Sequence, residues 1–219
     1  VVGRDAKAQQ RAGAPDVAAF FKRGMGDPNY AVEFSGRTYT PTDLSALVLA
    51  KLRRDAEAVL GGPVADAVVT VPAYFNNAQR EATIEAGRRA GLTVRRIINE
   101  PTAAALAYGV GRGEPETTLV YDLGGGTFDV TLVRITPTEV TVLATDGDHE
   151  LGGKDWDDAV AKFVAEQFRT EFGTDPLDSA DSFGDLLVRC EEAKKNLSAR
   201  AAVTVAIDHG GSRGEYELT

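Results

Sequence analysis

The chain has 219 residues, 43% hydrophobic and 26% charged, a globular composition with enough apolar material for one or two packed domains. Its 33 acidic residues against 24 basic ones leave a net charge of −9, which argues against non-specific attachment to nucleic acid or to an anionic membrane. Cys190 is the only cysteine, which excludes an internal disulfide and suits a reducing, cytoplasmic setting, and no run is apolar enough to span a bilayer. His149 and His209 are too few and too separated for a zinc site and are expected to be solvated or structural. No signal-peptide pattern opens the chain, and a first residue Val rather than Met is not expected to be a native start.

The opening thirty residues are polar, with turn residues at Gly13, Pro15, Gly24, Gly26 and Pro28. A hairpin is expected over 31–34 and 37–40, turning at Ser35-Gly36. Thr40 or Thr42 can cap the helix that follows Pro41, whose apolar residues Leu44, Leu47, Val48, Leu52, Ala56 and Val59 recur at helical spacing until Gly61-Gly62. A buried-type strand over 67–71 ends at Pro72, and Asn76 with Gln79 predicts a capping box opening an alanine-faced helix to about Ala90. A strand over 93–98 leads to Glu100-Pro101, with Pro placed where a helix begins, and that helix stops at Gly109. After a polar break at 111–115 come three strands with short connections, 117–122, 128–135 and 139–145. Leu151-Gly152-Gly153 then opens an amphipathic helix with the stripe Trp156, Val160, Phe163, Val164, Phe168 and Phe172. Beyond Pro176 a further helix turns Phe183, Leu186, Leu187, Cys190 and Leu197 to a core, and a strand over 201–207 with a turn at Gly210-Gly211 closes the chain.

Chemistry concentrates between the first two strands of the meander, at Asp122-Leu123-Gly124-Gly125-Gly126-Thr127-Phe128-Asp129. Glycines permit positive φ and put no Cβ in the way of a ligand, and consecutive free amides make a concavity for phosphate. If 124–127 form a four-residue loop, Asp122 and Asp129 face each other across the strands, where like charges repel. A bound polyphosphate would deepen that repulsion, and a hard cation such as Mg²⁺, held through its waters, resolves both problems. The alternative is a glycine-rich hairpin whose acids lie in solvent. It gives no reason for two acids to bracket the loop and leaves the Thr127 hydroxyl without a task.

Two longer stretches are more specific: Val69-Thr70-Val71-Pro72-Ala73-Tyr74-Phe75-Asn76 through Arg80, and Arg96-Ile97-Ile98-Asn99-Glu100-Pro101-Thr102-Ala103-Ala104-Ala105-Leu106-Ala107-Tyr108-Gly109. With the glycine loop they make the chain resemble the nucleotide-binding domain of the DnaK-type, seventy-kilodalton heat-shock chaperones, a branch of the actin-like ATPases. The resemblance implies an α/β fold of actin-like (ribonuclease-H-like) lobes, with mixed sheets flanked by helices and incomplete at both ends. Residues 1–62 would be the outer part of lobe I, 63–115 its inner part, 116–150 the inner part of lobe II with the phosphate hairpin, and 151–219 its outer part.

The same resemblance implies ATP hydrolysis between the lobes, with ATP or ADP and Mg as ligands. Lys7 matches the lysine that orients the attacking water, although a solvated helix lysine is the plainer reading. Glu100 matches the acid that reaches the metal's water shell, and the helix dipole favours an acid there in any case. Asp122 and Asp129 match the metal-side acids, and Gly124, Gly125, Gly126 and Thr127 the phosphate loop. Gly152 and Gly153 match a second glycine pair near the nucleotide, or form a plain helix start. Glu191, Lys194, Lys195 and Ser198 share one helix stripe, which reads as solvated Glu–Lys pairs and, by resemblance, as adenosine contacts. Lys195 stands where many relatives carry Arg and lacks the plane that stacks on adenine. Pro72 and Arg80 match residues that relay nucleotide state, and Arg96, Asn99 and Thr102 lie where a linker and J-domain cochaperones dock. The plain alternatives are a strand terminator at Pro72 and an exposed helix arginine at Arg80.

The first phosphate loop, the C-terminal adenosine motif and a substrate-binding domain of that family are absent from these residues, and Lys154-Asp155-Trp156 departs from its pattern. The chain is therefore expected to be the middle of an ATPase domain, weakly active or inactive alone. Its parent would couple hydrolysis to unfolded client proteins, helped by J-domain cochaperones and a nucleotide-exchange factor. The competing expectation is a divergent actin-like scaffold with weak or no ATPase activity.

Overall fold

The structure, a computed structural model, describes residues 1–12, 14, 16–34, 36–109 and 114–219. The expected turns at Gly13, Pro15 and Ser35 and the break at 111–113 lie outside the described residues. Two compact units divide the chain: a central one, Ala18–Glu150, and a discontinuous one made of Val1–Val17 with Leu151–Thr219.

The central unit begins with a 3-10 turn (Phe21–Gly24) and the hairpin β1 (Val32–Phe34) and β2 (Arg37–Tyr39). Helix α2 (Pro41–Leu60) follows, then β3 (Asp66–Val71), α3 (Asn77–Arg89) and β4 (Thr93–Asn99). α1 (Arg4–Arg11) precedes them in the chain but belongs to the other unit. The capping box expected at Asn76 forms, and Thr40, one of the two expected caps of α2, forms another with Asp43. The Thr40 hydroxyl accepts from the Asp43 amide at 3.2 Å while the Asp43 carboxylate accepts from the Thr40 amide at 3.0 Å. Asn76 and Gln79 exchange the same pair of bonds at 3.0 and 2.9 Å. β3 and β4 run parallel with α3 as the crossover, pairing Val69 with Ile97 and Val71 with Asn99.

α4 (Glu100–Gly109) starts where β4 stops and packs on the antiparallel meander β5 (Glu116–Leu123), β6 (Phe128–Ile135) and β7 (Val140–Asp148). Ala105 of the helix meets Val133 and Ile135 of the central strand in one buried cluster. β7 runs three residues past the expected end, because Asp146, Gly147 and Asp148 continue the ladder opposite Val130, Asp129 and Phe128.

In the discontinuous unit, α5 (Gly153–Phe172), a 3-10 turn (Pro176–Asp178) and α6 (Ala180–Leu197) enclose a core with the hairpin β8 (Val203–His209) and β9 (Ser212–Leu218). Ala161, Val164, Ala165 and Phe168 of α5 meet Leu186, Cys190 and Ala193 of α6, with Val205 and Ile207 below them. β9 is not foreseen from the sequence, since Ser212-Arg213-Gly214-Glu215 carries no apolar alternation. The two positive-φ glycines Gly210 and Gly211 return the chain so that it pairs with β8 all the same.

Periodicity overstates which residues are buried. Leu47, Leu52 and Val59 of α2 are exposed, as are Trp156 and Phe163 of α5 and Phe183 of α6. β3 is not buried on both faces either, and Val68 is 57% exposed. On α5 the buried seam is narrower than the expected stripe, because two alanines let α6 approach closely and leave the larger rings at its edges. α1 buries no residue. It docks on α6 through ion pairs, Lys7 with Glu191 and Arg11 with Glu192, the latter at 3.2 Å.

Gly147 is a glycine that the ladder itself requires. A Cβ there would lie 2.1 Å from the Phe128 carbonyl oxygen, across the ladder from Asp129. Gly147→Ala is expected to cost about 1–3 kcal/mol of stability, as overpacking against rigid backbone does, measured by urea unfolding.

Candidate functional site

The glycine loop closes as a four-residue hairpin. Leu123 pairs with Phe128, the Gly124 amide donates to the Thr127 carbonyl at 2.9 Å, and Asp122 stands opposite Asp129. None of Gly124, Gly125 and Gly126 takes a positive φ, so the conformational freedom of glycine is not what the loop uses. Space inside the protein does not demand glycine either. A Cβ would meet nothing nearer than 3.4 Å at Gly124, 4.0 Å at Gly125 and 3.5 Å at Gly126. The fold itself therefore does not demand the bare backbone of this loop.

The 3-10 turn at Phe21–Gly24 brings positive charge to this loop. Arg23 Nε donates to the Gly126 carbonyl at 2.8 Å, and Lys22 Nζ pairs with Glu100 Oε1 at 3.0 Å. Phe20, in a left-handed backbone with φ 58°, sets its ring beside Gly125 and Gly126. Glu100 owes its place to the abrupt change from β4 to α4, which leaves it in the first helical turn.

Asp129 is only 5% exposed. Burial pushes its carboxyl above the usual range, and the charges of Glu100 and Asp122 push the same way, against His149 and Lys22. Tyr74, from the turn between β3 and α3, is raised to about 12, first by burial and then by Asp129, while the Thr127 side chain and Arg23 oppose the shift. Among the described residues no three His, Cys, Asp or Glu side chains converge into a direct chelate. Asp122, Asp129 and Glu100 are hard oxygen donors, and their mutual repulsion at Asp129 is what a divalent cation relieves, so this set fits Mg²⁺ held through water.

Lys22 and Arg23 are not singled out by the sequence reading, although Phe20-Phe21-Lys22-Arg23 is an aromatic-basic cluster in an acidic chain. Lys7, chosen instead, contacts Glu191 in the discontinuous unit. There the structure gathers several further candidates. Lys194 Nζ donates to the Gly153 carbonyl at 2.7 Å and pairs with Asp157 at 2.7 Å, while Asp155 accepts from the Gly152 amide at 2.8 Å. Lys195 pairs with Glu191 at 2.7 Å. Burial alone would raise the Glu191 carboxyl, but hydrogen bonds from Lys195 and Lys7 hold it below the usual range. Ser198 caps the end of α6 and is exposed.

The coupling candidates form a second group in the central unit. Arg80 is not an exposed helix arginine: it donates to the Phe75 carbonyl at 2.8 Å, the Ala73 carbonyl at 3.4 Å and Asn99 Oδ1 at 2.7 Å. Pro72 is fully buried and Thr102 half-buried, whereas Arg96 is exposed.

This arrangement is that of a mixed α/β protein, and comparison with known families makes the class specific. The Hsp70 protein family model matches residues 1–215, and the chain belongs to that family. Among curated proteins it is similar to Chaperone protein DnaK of Halobacterium salinarum, from strains R1 and NRC-1, each 44% identical over 225 residues. Those alignments cover all of this chain and 36% of each relative, so the chain spans about a third of their length.

The raised Asp129 carboxyl sets a pH dependence. A buried acid whose folded-state pKa lies above its unfolded one loses stability as pH rises from the ordinary carboxylate value through the raised value. Asp129→Asn is therefore expected to melt higher than wild type at pH 7 without divalent cation, with the gap narrowing as pH falls through the raised value towards the ordinary carboxylate value. Parallel melting curves across that range would contradict the electrostatic reading.

Proposed function

We propose that the chain forms part of the ATP-binding and ATP-hydrolysing domain of an Hsp70-type chaperone built on actin-like lobes. The observation that carries this reading is the hairpin at 124–127: glycines that the fold does not need, bracketed by opposed Asp122 and Asp129, with Glu100 and Lys22 beside them. Gly124, Gly125 and Gly126 offer bare backbone to the phosphates, and the Thr127 hydroxyl orients the terminal one. Mg²⁺, held through water by Asp122, Asp129 and Glu100, supplies charge neutralisation when bound. Lys22 rather than Lys7 is the lysine we assign to the reacting phosphate, because it meets Glu100 and its charge acts on Asp129. In the discontinuous unit, Gly152, Gly153, Glu191, Lys194, Lys195 and Ser198 are proposed for the nucleoside on family resemblance. Pro72, Arg80, Arg96, Asn99 and Thr102 are proposed for coupling to client proteins, J-domain cochaperones and a nucleotide-exchange factor.

A divergent scaffold with weak nucleotide use is the second reading, favoured by the Lys195–Glu191 pair, which gives adenine no flat cation to stack on. Steady-state kinetics of the full-length protein separate the two. Lys22→Ala is expected to lower kcat roughly 100-fold or more with nucleotide affinity within a few-fold, the pattern of a lost charge in the transition state. A wild-type protein that binds Mg-ATP without turnover would favour the scaffold.

Gly125→Ala tests the loop in isolation from the fold. Stability should change by no more than about 0.5 kcal/mol, since the added methyl meets only open space and the Phe20 ring. Mg-ATP affinity by calorimetry should fall at least tenfold.

A further inference from the structure

Thr127 sits between two peptide groups, and each is held by a hydrogen bond. The peptide after it is fixed from within the hairpin, where the Thr127 carbonyl accepts from the Gly124 amide at 2.9 Å. The peptide before it is fixed from outside, where the Gly126 carbonyl accepts from Arg23 Nε at 2.8 Å. No peptide bond among the described residues is cis, so the Gly126 carbonyl and the Thr127 N–H point to opposite sides of the unit they share. Drawing that carbonyl towards the 3-10 turn therefore turns the Thr127 N–H away from it.

Three successive glycines have no such direction built in. Glycine gives its flanking peptides the widest rotational freedom, so the peptide between Gly126 and Thr127 can flip unless something outside the loop holds it. Arg23, half-buried, is suited to hold it because its own backbone is anchored. Phe20, left-handed at φ 58°, opens the turn, and its carbonyl accepts from the Arg23 amide at 3.1 Å. On the other side of Arg23, Gly24 is buried so close to the Tyr30 ring that a Cβ would stand 2.5 Å from it. Met25 follows, in the buried cluster with Val71 and Phe75. The Phe20 ring lies 3.8 Å from where a Gly126 Cβ would be, so turn and loop touch at a second point.

We infer that Arg23 is a positioning residue for nucleotide binding: its Nε–H pins the Gly126 carbonyl and so holds the Thr127 amide on the opposite side, towards the bound phosphate. The ligand rests on the ATP-binding reading above, the pin on contacts within the protein. A pin acts before the ligand arrives, by raising the fraction of loops competent to bind, so its loss weakens affinity. That is the reverse of the pattern expected at Lys22, whose loss slows the reaction.

The test separates hydrogen bond from charge in the full-length protein. Arg23→Gln puts an N–H donor as many bonds from Cα as Nε without the charge, and Arg23→Met keeps an apolar stem with no donor. Calorimetry should find Mg-ATP affinity about 10-fold lower in Arg23→Met, roughly the worth of one charge-assisted hydrogen bond, and within about 3-fold of wild type in Arg23→Gln. In turnover the loss should appear in KM for ATP rather than in kcat. Without nucleotide, relaxation dispersion should show exchange broadening of the Thr127 amide in Arg23→Met that wild type and Arg23→Gln lack. Wild-type affinity in Arg23→Met overturns the proposal, as does a Gln variant as weak or as broadened as Met. A quiet Thr127 amide in Arg23→Met overturns the pin itself. Broadening confined to Arg23→Met in a protein that binds no nucleotide supports the pin and sinks the ATP-binding reading alone.

Discussion

Two carboxylates held face to face across a pair of strands are the constraint around which the central unit is arranged. The four-residue loop leaves no freedom in register, so Asp122 must oppose Asp129 whatever that costs. Asp129 is also buried, and the charge of Glu100 at the start of α4 acts on it. A fold selected only for stability has no reason to collect three acids in one place, still less in a chain that already carries −9. Repulsion of this kind is what the proposed divalent cation would relieve.

The scaffold under that site is stiff where it needs to be. α4 is seated on β6 through Ala105, Val133 and Ile135, which fixes the helix start that presents Glu100. Gly147 lets β7 pair beside Asp129 with no Cβ to strike the Phe128 carbonyl. Arg80 binds the turn after β3 to the last residue of β4, so the Tyr74 turn and the Glu100 helix share one support. Basic residues come from a short turn laid against the glycine loop rather than from the sheet.

Local signals in the sequence are read well and long-range ones are not. Thr40, Asn76 with Gln79, and Pro101 announce helix starts through local chemistry, caps bonded within four residues and a proline whose missing N–H suits a first turn, so their physics is visible in a short window. The facing of Asp122 and Asp129 is legible for the same reason, since loop length alone sets it. Lys22 escapes because its meaning is the ion pair with Glu100, far along the chain, and nothing in its own neighbourhood distinguishes it from Lys7. Trp156, Phe163 and Leu52 are misjudged because helical spacing says which residues share a face, not how wide a face its partner covers. β9 goes unseen because its pairing is made by two glycines and a ladder, with little help from side chains.

The first helix has a further consequence. α1 belongs with Leu151–Thr219 although the whole of Ala18–Glu150 is synthesised between them, and it is held by exposed charges instead of a core. A ribosome therefore releases the central unit before α6, the helix that α1 pairs with, has been made. The helix must wait, tethered, until α6 emerges, and its late attachment is governed by ionic strength more than by burial.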